Sequence, residues 1–365
     1  MRHDLENILS HFQIEGDFIR AEAIGTGHIN DTYLGYFQAG KENTRYIHQR
    51  INQNVFKQPV KLMENIIRVT RFAREVISAN GGDPERQTLN LVPALDGRFF
   101  YQTPEGDFWR TYYFIAGART YDKVENLKHV FSASKAFGDF QKMLSSLPGE
   151  RLHETIPDFH HTRKRFETFV QALDKDAVNR ARSVKNEIEF VLCREADTSV
   201  VVGFLMRGQI PERVTHNDTK LNNVMIDDQT GEGICVIDLD TVMPGSALYD
   251  FGDSVRIGAS TAVEDETDLD KVGLDLDMFA RLAEGYLESA RDFLTSLEVD
   301  HLVFSAKLIT LEQGIRFLTD YLNGDTYYRI HRPDHNLDRT RTQIKMVREI
   351  EVKSDLMEGI VNRYR

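Results

Sequence analysis

Apolar and polar residues along positions 17–49 follow the pattern of a β-sheet. Three strand-like stretches occur there, and the turn residues Gly25-Thr-Gly27 separate the first stretch from the second. Two further strand-like stretches flank a Pro-Glu-Gly-Asp turn within positions 99–115. Between these groups a helical pattern begins at Pro59, a residue suited to a first helical turn, and ends at Gly81. The first third of the chain therefore predicts an antiparallel sheet with one long helix.

The remaining two thirds of the chain are mostly helical in pattern. One β-rich segment interrupts the helices between Arg213 and Asp240, where short apolar stretches flank polar loops. The helical stretches are 130–147, 158–175, 183–206, 278–296, 300–322 and 337–362. The sequence thus predicts an α+β, bilobal fold, with a small β-rich lobe at positions 1–115 and a larger helical lobe at positions 116–365.

Charge and composition narrow the class of protein. The chain carries 45 Lys and Arg against 57 Asp and Glu, and this net charge of −12 argues against a nucleic-acid binder, whose surface is basic. No stretch reaches the roughly 18 consecutive apolar residues of a membrane helix, and the N-terminus lacks the apolar core of a signal peptide. We therefore expect a cytoplasmic protein without membrane contact. Cys193 and Cys235 are too few for a disulfide framework or a thiolate metal cage, and we expect both to be buried.

The densest group of polar residues follows the strand-like Val214-Thr215. Phosphoryl transfer needs a carboxylate that accepts the proton of the attacking hydroxyl and oxygen ligands for Mg²⁺. The spacing His216-x-Asp218-x-x-x-x-Asn223 matches a kinase catalytic loop, which makes Asp218 the predicted base and Asn223 a predicted Mg²⁺ ligand. We interpret His216 as a scaffold residue of the loop. Lys220 is a candidate contact for the γ-phosphate, and the alternative is a lysine that points into water.

Two aspartates compete for the role of second Mg²⁺ ligand. Asp250-Phe-Gly252 spells the kinase magnesium motif, but it follows a Pro-Gly-Ser turn and begins a helical pattern. Asp238 directly follows an apolar strand and lies nearer to Asp218 in the chain, so we predict that Asp238 is the ligand. Asp240, on the same side of an extended strand, could join it or accept hydrogen bonds. Asp250 is then expected to cap a helix or brace the catalytic loop.

A short glycine-rich segment lies between the first two strands. Gly25 and Gly27 would let backbone amides approach a nucleotide phosphate, and Asn30 follows them directly. Since a strand rather than a helix comes next, the segment is not a Rossmann fingerprint, and ahead of the Asp218 loop it fits a kinase glycine loop. The strand that contains Tyr113 and leads to Ile115 would then lie beside the adenine of ATP.

Taken together, these motifs resemble the aminoglycoside phosphotransferase/choline kinase superfamily, which comprises small-molecule kinases with a protein-kinase-like fold. The resemblance is closer to the bacterial N-acetylhexosamine 1-kinases and covers nearly the whole chain. The segments that carry it are Gly27-His-Ile-Asn30, Ala136-Phe-Gly-Asp-Phe-Gln141, Val214 to Asn223, Ile237-Asp-Leu-Asp-Thr241, Met243-Pro-Gly-Ser246, Asp250-Phe-Gly-Asp-Ser254, Gly258-Ala-Ser-Thr261 and His335 to Lys345.

The resemblance implies an activity and a set of substrate contacts. It implies transfer of phosphate from ATP, with Mg²⁺, to the anomeric hydroxyl of N-acetylglucosamine or N-acetylgalactosamine, with Asp218 as base. The further residues that it implies near the sugar are His28, Thr241, Ile257, Arg316 and Tyr327. One feature departs from the wider superfamily, because Gln49 and Arg50 stand where a phosphate-binding strand lysine is expected. The contact to the α- and β-phosphates is therefore left unassigned.

Two other functions compete with this interpretation. The first is a kinase for another alcohol, such as another hexose, homoserine or choline. Choline calls for an aromatic cage around its quaternary ammonium, and the single tryptophan lies in the predicted nucleotide lobe. The second is a nucleotide-binding pseudokinase, but a sensor has no need for Asp218, Asn223 and Asp238 together.

Overall fold

The N-terminal part of the computed structural model is an antiparallel sheet. The structure describes residues 3–24, 29–121 and 126–365. The five strands pair in the order β1-β2-β3-β5-β4, and every pairing is antiparallel. Their bounds are β1 Asp17–Ala23, β2 Asp31–Ala39, β3 Glu42–Arg50, β4 Tyr101–Gln102 and β5 Phe108–Tyr113. The predicted meander is thereby confirmed.

Three helices accompany this sheet: α1 Leu5–Leu9, α2 Pro59–Ala79 and α3 Pro84–Gln87. Helix α2 starts with its proline in the first turn, where the missing N–H is no loss, and it ends before Gly81, whose φ of 75° a side chain would oppose. Its apolar face, with Leu62 and Ile66, packs into a core that also contains Phe137 and Val236 from the second part of the chain. The two parts therefore share buried apolar surface.

The C-terminal part is mainly helical. Its helices are α4 Leu127–Leu144, α5 Thr162–Lys175, α6 Lys185–Leu192, α7 Val200–Met206, α8 Ala247–Gly258, α9 Leu276–Ala290, α10 Ser296–Asp300, α11 Leu302–Leu322 and α12 His335–Tyr364. Its strands are β6 Ala118–Arg119, β7 Arg213–Thr215, β8 Val224–Asp227, β9 Gly233–Val236 and β10 Met243–Gly245. The predicted α+β class, with a β-rich beginning and a helical remainder, is confirmed. No helix within the described ranges is long and apolar enough to span a membrane.

The structure corrects two sequence-based expectations. The continuous helical pattern at 183–206 is divided into α6 and α7 by a 3₁₀ segment, Glu195–Ser199, in which the hydroxyl of Thr198 donates to the carbonyl of Glu195 (2.6 Å). Cys193, expected to be buried, is exposed at the end of α6. Cys235 lies inside β9 as expected, where burial raises the pKa of its thiol to about 12.

Two short antiparallel strand pairs position the polar loops of the C-terminal part. Strand β7 pairs with β10 through Thr215 and Met243, and β8 pairs with β9 through Val224 and Val236. The loop from β7 to β8 and the turn after β9 therefore emerge next to one another. These are the two segments in which the sequence concentrates its acidic and amide side chains.

Candidate active site

Strand pairing brings Asn223 and Asp238 together. Asn223 directly precedes β8 and Asp238 follows β9 by two residues, and the paired strands place both at the same end. The backbone N–H of Ile237 donates to the carbonyl of Asn223 (2.9 Å), which extends the pairing by one step. The candidate metal ligands of the sequence analysis are thus neighbours although they stand fifteen positions apart.

Asp218 lies beside these two residues and is held by two partners. The Nζ atom of Lys220 lies 2.8 Å from one carboxylate oxygen, and the side-chain amide of Asn223 donates to the backbone carbonyl (2.8 Å) and to the carboxylate (3.2 Å). Burial by itself would raise the pKa of Asp218, but the charge and hydrogen bond of Lys220, together with further positive groups that include Arg256, outweigh burial, and the net pKa is lowered. Asp218 is therefore ionised at neutral pH and able to accept a proton.

Asp238 has the opposite electrostatic character. Within the described ranges its carboxylate receives no hydrogen bond, and its backbone has a left-handed φ of 58°. The residue is exposed to solvent, yet the protein around its carboxyl group raises the pKa to about 6 through partial burial, and the nearby Asp240 and Asp218 add to this rise. A carboxylate with unfavourable surroundings and no partner is a position where a cation would relieve the charge.

The donor set fits Mg²⁺ better than a soft metal. The amide nitrogen of Asn223 is engaged with Asp218, which leaves its amide oxygen as a candidate second oxygen ligand next to Asp238 of the paired strand end. Among the described residues no group of three or more His, Cys, Asp or Glu side chains forms a self-sufficient metal cage. Mg²⁺ typically uses one or two protein oxygens together with phosphate oxygens, so this sparse arrangement suits a metal that arrives with a nucleotide.

Asp240 is directed away from this pair and towards the N-terminal sheet. It forms a buried ion pair with Arg110 of β5, and the side-chain amide of Asn30 donates to its other oxygen (2.5 Å). Arg110 in turn donates to the side-chain oxygen of Gln49 (2.8 and 3.0 Å). Of the two possibilities left open for Asp240, the structure shows hydrogen-bond acceptance, and the donors come from the other part of the chain.

The sequence analysis missed Arg110, although a signal for it exists. It is the single charged residue of β5, surrounded there by aromatic residues and threonine, and it is 1% exposed. Buried arginines are paired with rare exceptions, so its position alone predicts an acidic partner from elsewhere in the chain.

Strand β3 has Gln49 and Arg50 where the wider superfamily is expected to carry a phosphate-binding lysine. The guanidinium of Arg50 forms ion pairs with Asp31 and Asp107.

Asp250 holds the catalytic loop in place through hydrogen bonds. Its carboxylate accepts the backbone N–H groups of His216 (2.8 Å) and Asn217 (2.7 Å) and the side-chain amide of Gln141 (2.6 Å). It is buried in the first turn of α8, so both oxygens are engaged within the protein. This is the brace that the sequence predicts, and it excludes the literal reading of Asp250 as a metal ligand in this conformation.

His216 connects the catalytic loop with the metal-ligand turn. Its Nδ1 accepts the backbone N–H of Asp218 (3.3 Å), which assigns the proton to Nε2, and Nε2 donates to the carbonyl of Ile237 (2.9 Å). The side chain is fully buried against Phe137 and Phe140. These contacts match the scaffold interpretation of His216.

The other candidate residues are distributed as follows. Gly25, Gly27 and His28 lie outside the described residues. Asn30 uses its side chain between Asp240 and the backbone N–H of Asn52, while Tyr113 is exposed at the end of β5 and Ile115 is buried beyond it. Thr241 is buried and donates its hydroxyl to the carbonyl of His216 (2.7 Å), and Ile257 is half-buried in α8.

Arg316 and Tyr327 make their contacts with residues other than Asp218. Arg316 of α11 lies over the rings of Phe159 (5.2 Å) and Tyr328 (5.8 Å), and it donates to Gln313 (3.0 Å). Tyr327 is 63% exposed in the segment between α11 and α12. Within the described ranges no hydrogen bond or ion pair joins either of them to Asp218. The structure thus groups Asp218, Lys220, Asn223 and Asp238, with Thr241 close behind them.

The fold and this set of residues define a phosphotransferase with a protein-kinase-like architecture. The chain belongs to the phosphotransferase enzyme family, whose model matches residues 22–288. The matched range contains the Asp218 loop, the Asp238 turn and most of the N-terminal sheet. The protein is accordingly a small-molecule kinase of the aminoglycoside phosphotransferase/choline kinase superfamily, as its motifs predict.

Solved structures of similar fold cover nearly the whole chain. An aminoglycoside phosphotransferase from Alicyclobacillus acidocaldarius aligns with 98% of this chain and 96% of its own length, at 11% identity and a TM-score of 0.60. An amicoumacin kinase, solved with AMP-PNP and Ca²⁺, covers 97% and 95% at 12% identity and a TM-score of 0.59. A choline kinase from Cryptosporidium parvum covers 98% and 97% at 15% identity and a TM-score of 0.55. At such identities the similarity concerns the fold.

Proposed function

We propose that the protein transfers the γ-phosphoryl group of ATP to the anomeric hydroxyl of N-acetylglucosamine or N-acetylgalactosamine. The observation that carries phosphoryl transfer is the convergence of an ionised Asp218 with the oxygen donors of Asn223 and Asp238. A positioned base and a hard-cation site are the two elements that this reaction requires of a protein. The choice of acceptor rests on the closer resemblance to N-acetylhexosamine 1-kinases.

Each residue of the group has a role in this proposal. Asp218 orients the acceptor hydroxyl and takes its proton as the oxygen bonds to the γ-phosphorus and ADP departs. Asn223 and Asp238 hold Mg²⁺, which would neutralise charge on the phosphate oxygens. Lys220 exchanges part of its ion pair with Asp218 for a contact with the γ-phosphate, which its flexible side chain allows.

The anomeric hydroxyl suits a site with one carboxylate base. The ring oxygen makes this hydroxyl more acidic than the other sugar hydroxyls, so a single aspartate is sufficient help in a loose transition state. Arg316 makes no ion pair among the described residues and is held on aromatic rings, which supports its assignment to a neutral polar substrate. The residues assigned to the sugar are His28, Thr241, Ile257, Arg316 and Tyr327.

The nucleotide is assigned to the N-terminal part of the chain. We assign phosphate contacts to the backbone near Gly25 and Gly27 and adenine contacts to Tyr113 and Ile115. Residues 1–115 then form the nucleotide-binding lobe, and residues 116–365 form the catalytic and sugar-binding lobe. The amicoumacin kinase of similar fold binds AMP-PNP together with Ca²⁺, and this supports a nucleotide with a divalent cation for the present chain.

A panel of acceptors tests this function. ADP release is measured with ATP and Mg²⁺ for N-acetylglucosamine, N-acetylgalactosamine, glucose, galactose, choline and homoserine, with Asp218→Asn as the background control. The expected result is turnover with one or both N-acetylhexosamines at a kcat/KM well above that for the other acceptors. Turnover confined to choline or homoserine would contradict the sugar assignment, and nucleotide binding without turnover on any acceptor would favour a sensor.

A further inference from the structure

A buried histidine and a buried glutamate lie next to the catalytic loop. His160 stands two residues before the start of α5, and Glu312 belongs to α11. The Nδ1 atom of His160 lies 2.8 Å from one carboxylate oxygen of Glu312, and the hydroxyl of Thr162 donates to the other (2.5 Å). His160 is 8% exposed and Glu312 is 1% exposed. The sequence motifs give neither residue a role.

The second nitrogen of His160 reaches the catalytic loop itself. Its Nε2 atom lies 3.2 Å from the backbone carbonyl oxygen of Asn217, the residue before Asp218. Both ring nitrogens therefore face acceptor oxygens. A neutral imidazole has only one N–H and would set a nitrogen lone pair against one of these oxygens, whereas the imidazolium donates to both.

Asn217 has an unusual backbone conformation that needs such support. Its φ is 65°, in the left-handed region, and the adjoining peptide groups are fixed from two sides. Asp250 accepts its backbone N–H (2.7 Å), while its side-chain amide donates to the carbonyls of Thr215 (3.1 Å) and Thr241 (2.8 Å). His160 is the partner of the remaining group, the carbonyl that leads directly into Asp218. Asparagine enters the left-handed region more readily than most residues, and here these contacts fix it there.

We propose that His160 and Glu312 form a charged pair that positions Asp218 by holding the carbonyl of Asn217. In this role His160 is a positioning residue, and only its doubly protonated form makes both contacts. The proposal rests on the phosphotransferase function and extends it, because it assigns part of the catalytic geometry to residues outside the loop.

The surroundings of His160 favour the charged form. Burial by itself lowers the pKa of His160, but the adjacent carboxylate of Glu312 outweighs burial and the pKa is raised. Asp253 of α8 acts in the same direction, and Arg316 of α11 opposes it. The ring of Tyr249, also from α8, packs at 5.2 Å, and burial raises the pKa of this phenol so that it remains neutral.

The pair predicts a particular dependence of turnover on pH. The pKa of His160 in the folded protein lies above its ordinary value. His160 therefore donates to both Glu312 and the carbonyl of Asn217 at low pH, and it loses one of these hydrogen bonds as the pH rises through the folded pKa. We therefore expect kcat to decline on the alkaline side. In Glu312→Gln the side-chain amide can donate to Nδ1 of a neutral His160, whose Nε2 still donates to the carbonyl of Asn217. Both contacts then form without a charge, so we expect the alkaline decline in kcat to disappear.

A double variant separates positioning from stability. His160→Phe with Glu312→Leu replaces the pair by apolar groups of similar size and leaves no unpaired buried charge, so the protein is expected to fold with a similar melting temperature. Turnover is expected to fall about 100-fold with little change in the KM for ATP, because the carbonyl of Asn217 loses its donor. The matched control is the surface pair of His153 and Glu64, also 2.8 Å apart, changed to Phe and Leu.

Histidine NMR of the full chain supplies a readout that needs no turnover. The nitrogen shifts of His160 are expected to be those of an imidazolium at pH 7 in the wild-type protein and of a neutral ring in Glu312→Gln. A neutral wild-type His160 at pH 7 would overturn the proposal, as would a folded double variant with wild-type kcat or an alkaline decline that survives in Glu312→Gln. If the wild-type protein turns over no acceptor, the proposed function fails while the NMR result still decides the state of the pair.

Discussion

Two aspartates of one site have oppositely shifted pKa values, and the two shifts have different causes. Burial would raise the pKa of Asp218, but Lys220, in contact with its carboxylate, and further positive groups lower it. For Asp238 burial comes first and the nearby Asp240 and Asp218 add to it, so the pKa of that carboxyl rises to about 6. The difference assigns the acceptance of a proton to Asp218 and the binding of a cation to Asp238.

Replacing the base is expected to abolish chemistry while leaving binding intact. Asp218→Asn keeps the size of the side chain and its hydrogen bonds from Asn223, but it removes the proton acceptor. We expect a loss of roughly 10²–10⁴ in kcat, with the dissociation constant of Mg²⁺–ATP nearly unchanged in calorimetric titration. Near-wild-type turnover in this variant would remove Asp218 from the role of base.

The charge of Asp238 is expected to destabilise the protein in the absence of metal. Because its folded pKa is raised, the ionised form opposes folding, and stability falls as the pH rises from about 4 to about 6. Asp238→Asn should therefore melt at a higher temperature than the wild-type protein at pH 7.5 without Mg²⁺, and the difference should fade towards pH 4. The same variant is expected to lose Mg²⁺-dependent nucleotide binding.

Asp250→Asn is the matched comparison for that experiment. Burial raises the pKa of Asp250 as well, but its two carboxylate oxygens accept two backbone N–H groups of the catalytic loop, whereas an amide has only one oxygen to accept them. The replacement is therefore expected to lower the melting temperature at pH 7.5. If Asp238→Asn instead melts below the wild-type protein and Asp250→Asn does not, the assignment of the two aspartates is reversed.

Strand β5 and the turn after β9 are joined by the buried pair of Arg110 and Asp240. This contact links elements 130 positions apart in the chain and crosses from the sheet to the catalytic turn. Asn30 adds a second link from the beginning of β2. The orientation of Asp238, two residues before Asp240, therefore depends on the N-terminal sheet as well as on its own hairpin.

Breaking the pair of Arg110 and Asp240 is expected to destabilise the folded protein. Arg110→Met leaves the charge of Asp240 buried and without its cation, and we expect a loss of about 3–5 kcal/mol in the free energy of unfolding. Arg50→Met, on the neighbouring strand, breaks partly exposed pairs and should lose about 1 kcal/mol or less. Urea unfolding of both variants measures the difference, and equal stabilities would contradict the structural role of Arg110.

Local patterns explain how much of the candidate site the sequence predicted. Asp218 and Asn223 are five positions apart within one loop, and Asp238 directly follows an apolar strand, so spacing and hydrophobic pattern were sufficient to group them. The contacts of Arg110 with Asp240 and of His160 with Glu312 join positions 130 and 152 apart. Such pairs follow from the packing of helices and sheets, which a linear pattern does not contain.

At the scale of the whole molecule, the α+β class and the order of elements were predictable because most strands and helices have strong periodicity. The break between α6 and α7 was not, because no glycine or proline marks the 3₁₀ segment Glu195–Ser199 that separates the two helices. Strand β10 was also missed, since its three residues are too short for a pattern and exist only through pairing with β7. The apolar core shared by α2, α4 and β9 then connects the N-terminal part of the chain with the β8–β9 hairpin next to the catalytic loop.

The position of the transferred phosphate is the most direct test of the proposed function. With N-acetylglucosamine or N-acetylgalactosamine as acceptor, phosphorus NMR should show a product whose phosphorus couples to the anomeric proton, and mild acid should release its phosphate. The methyl glycosides, in which the anomeric oxygen is blocked, should yield no phosphorylated product. Turnover of a methyl glycoside, or an acid-stable phosphate on the free sugar, would contradict an anomeric kinase and assign this site to another hydroxyl.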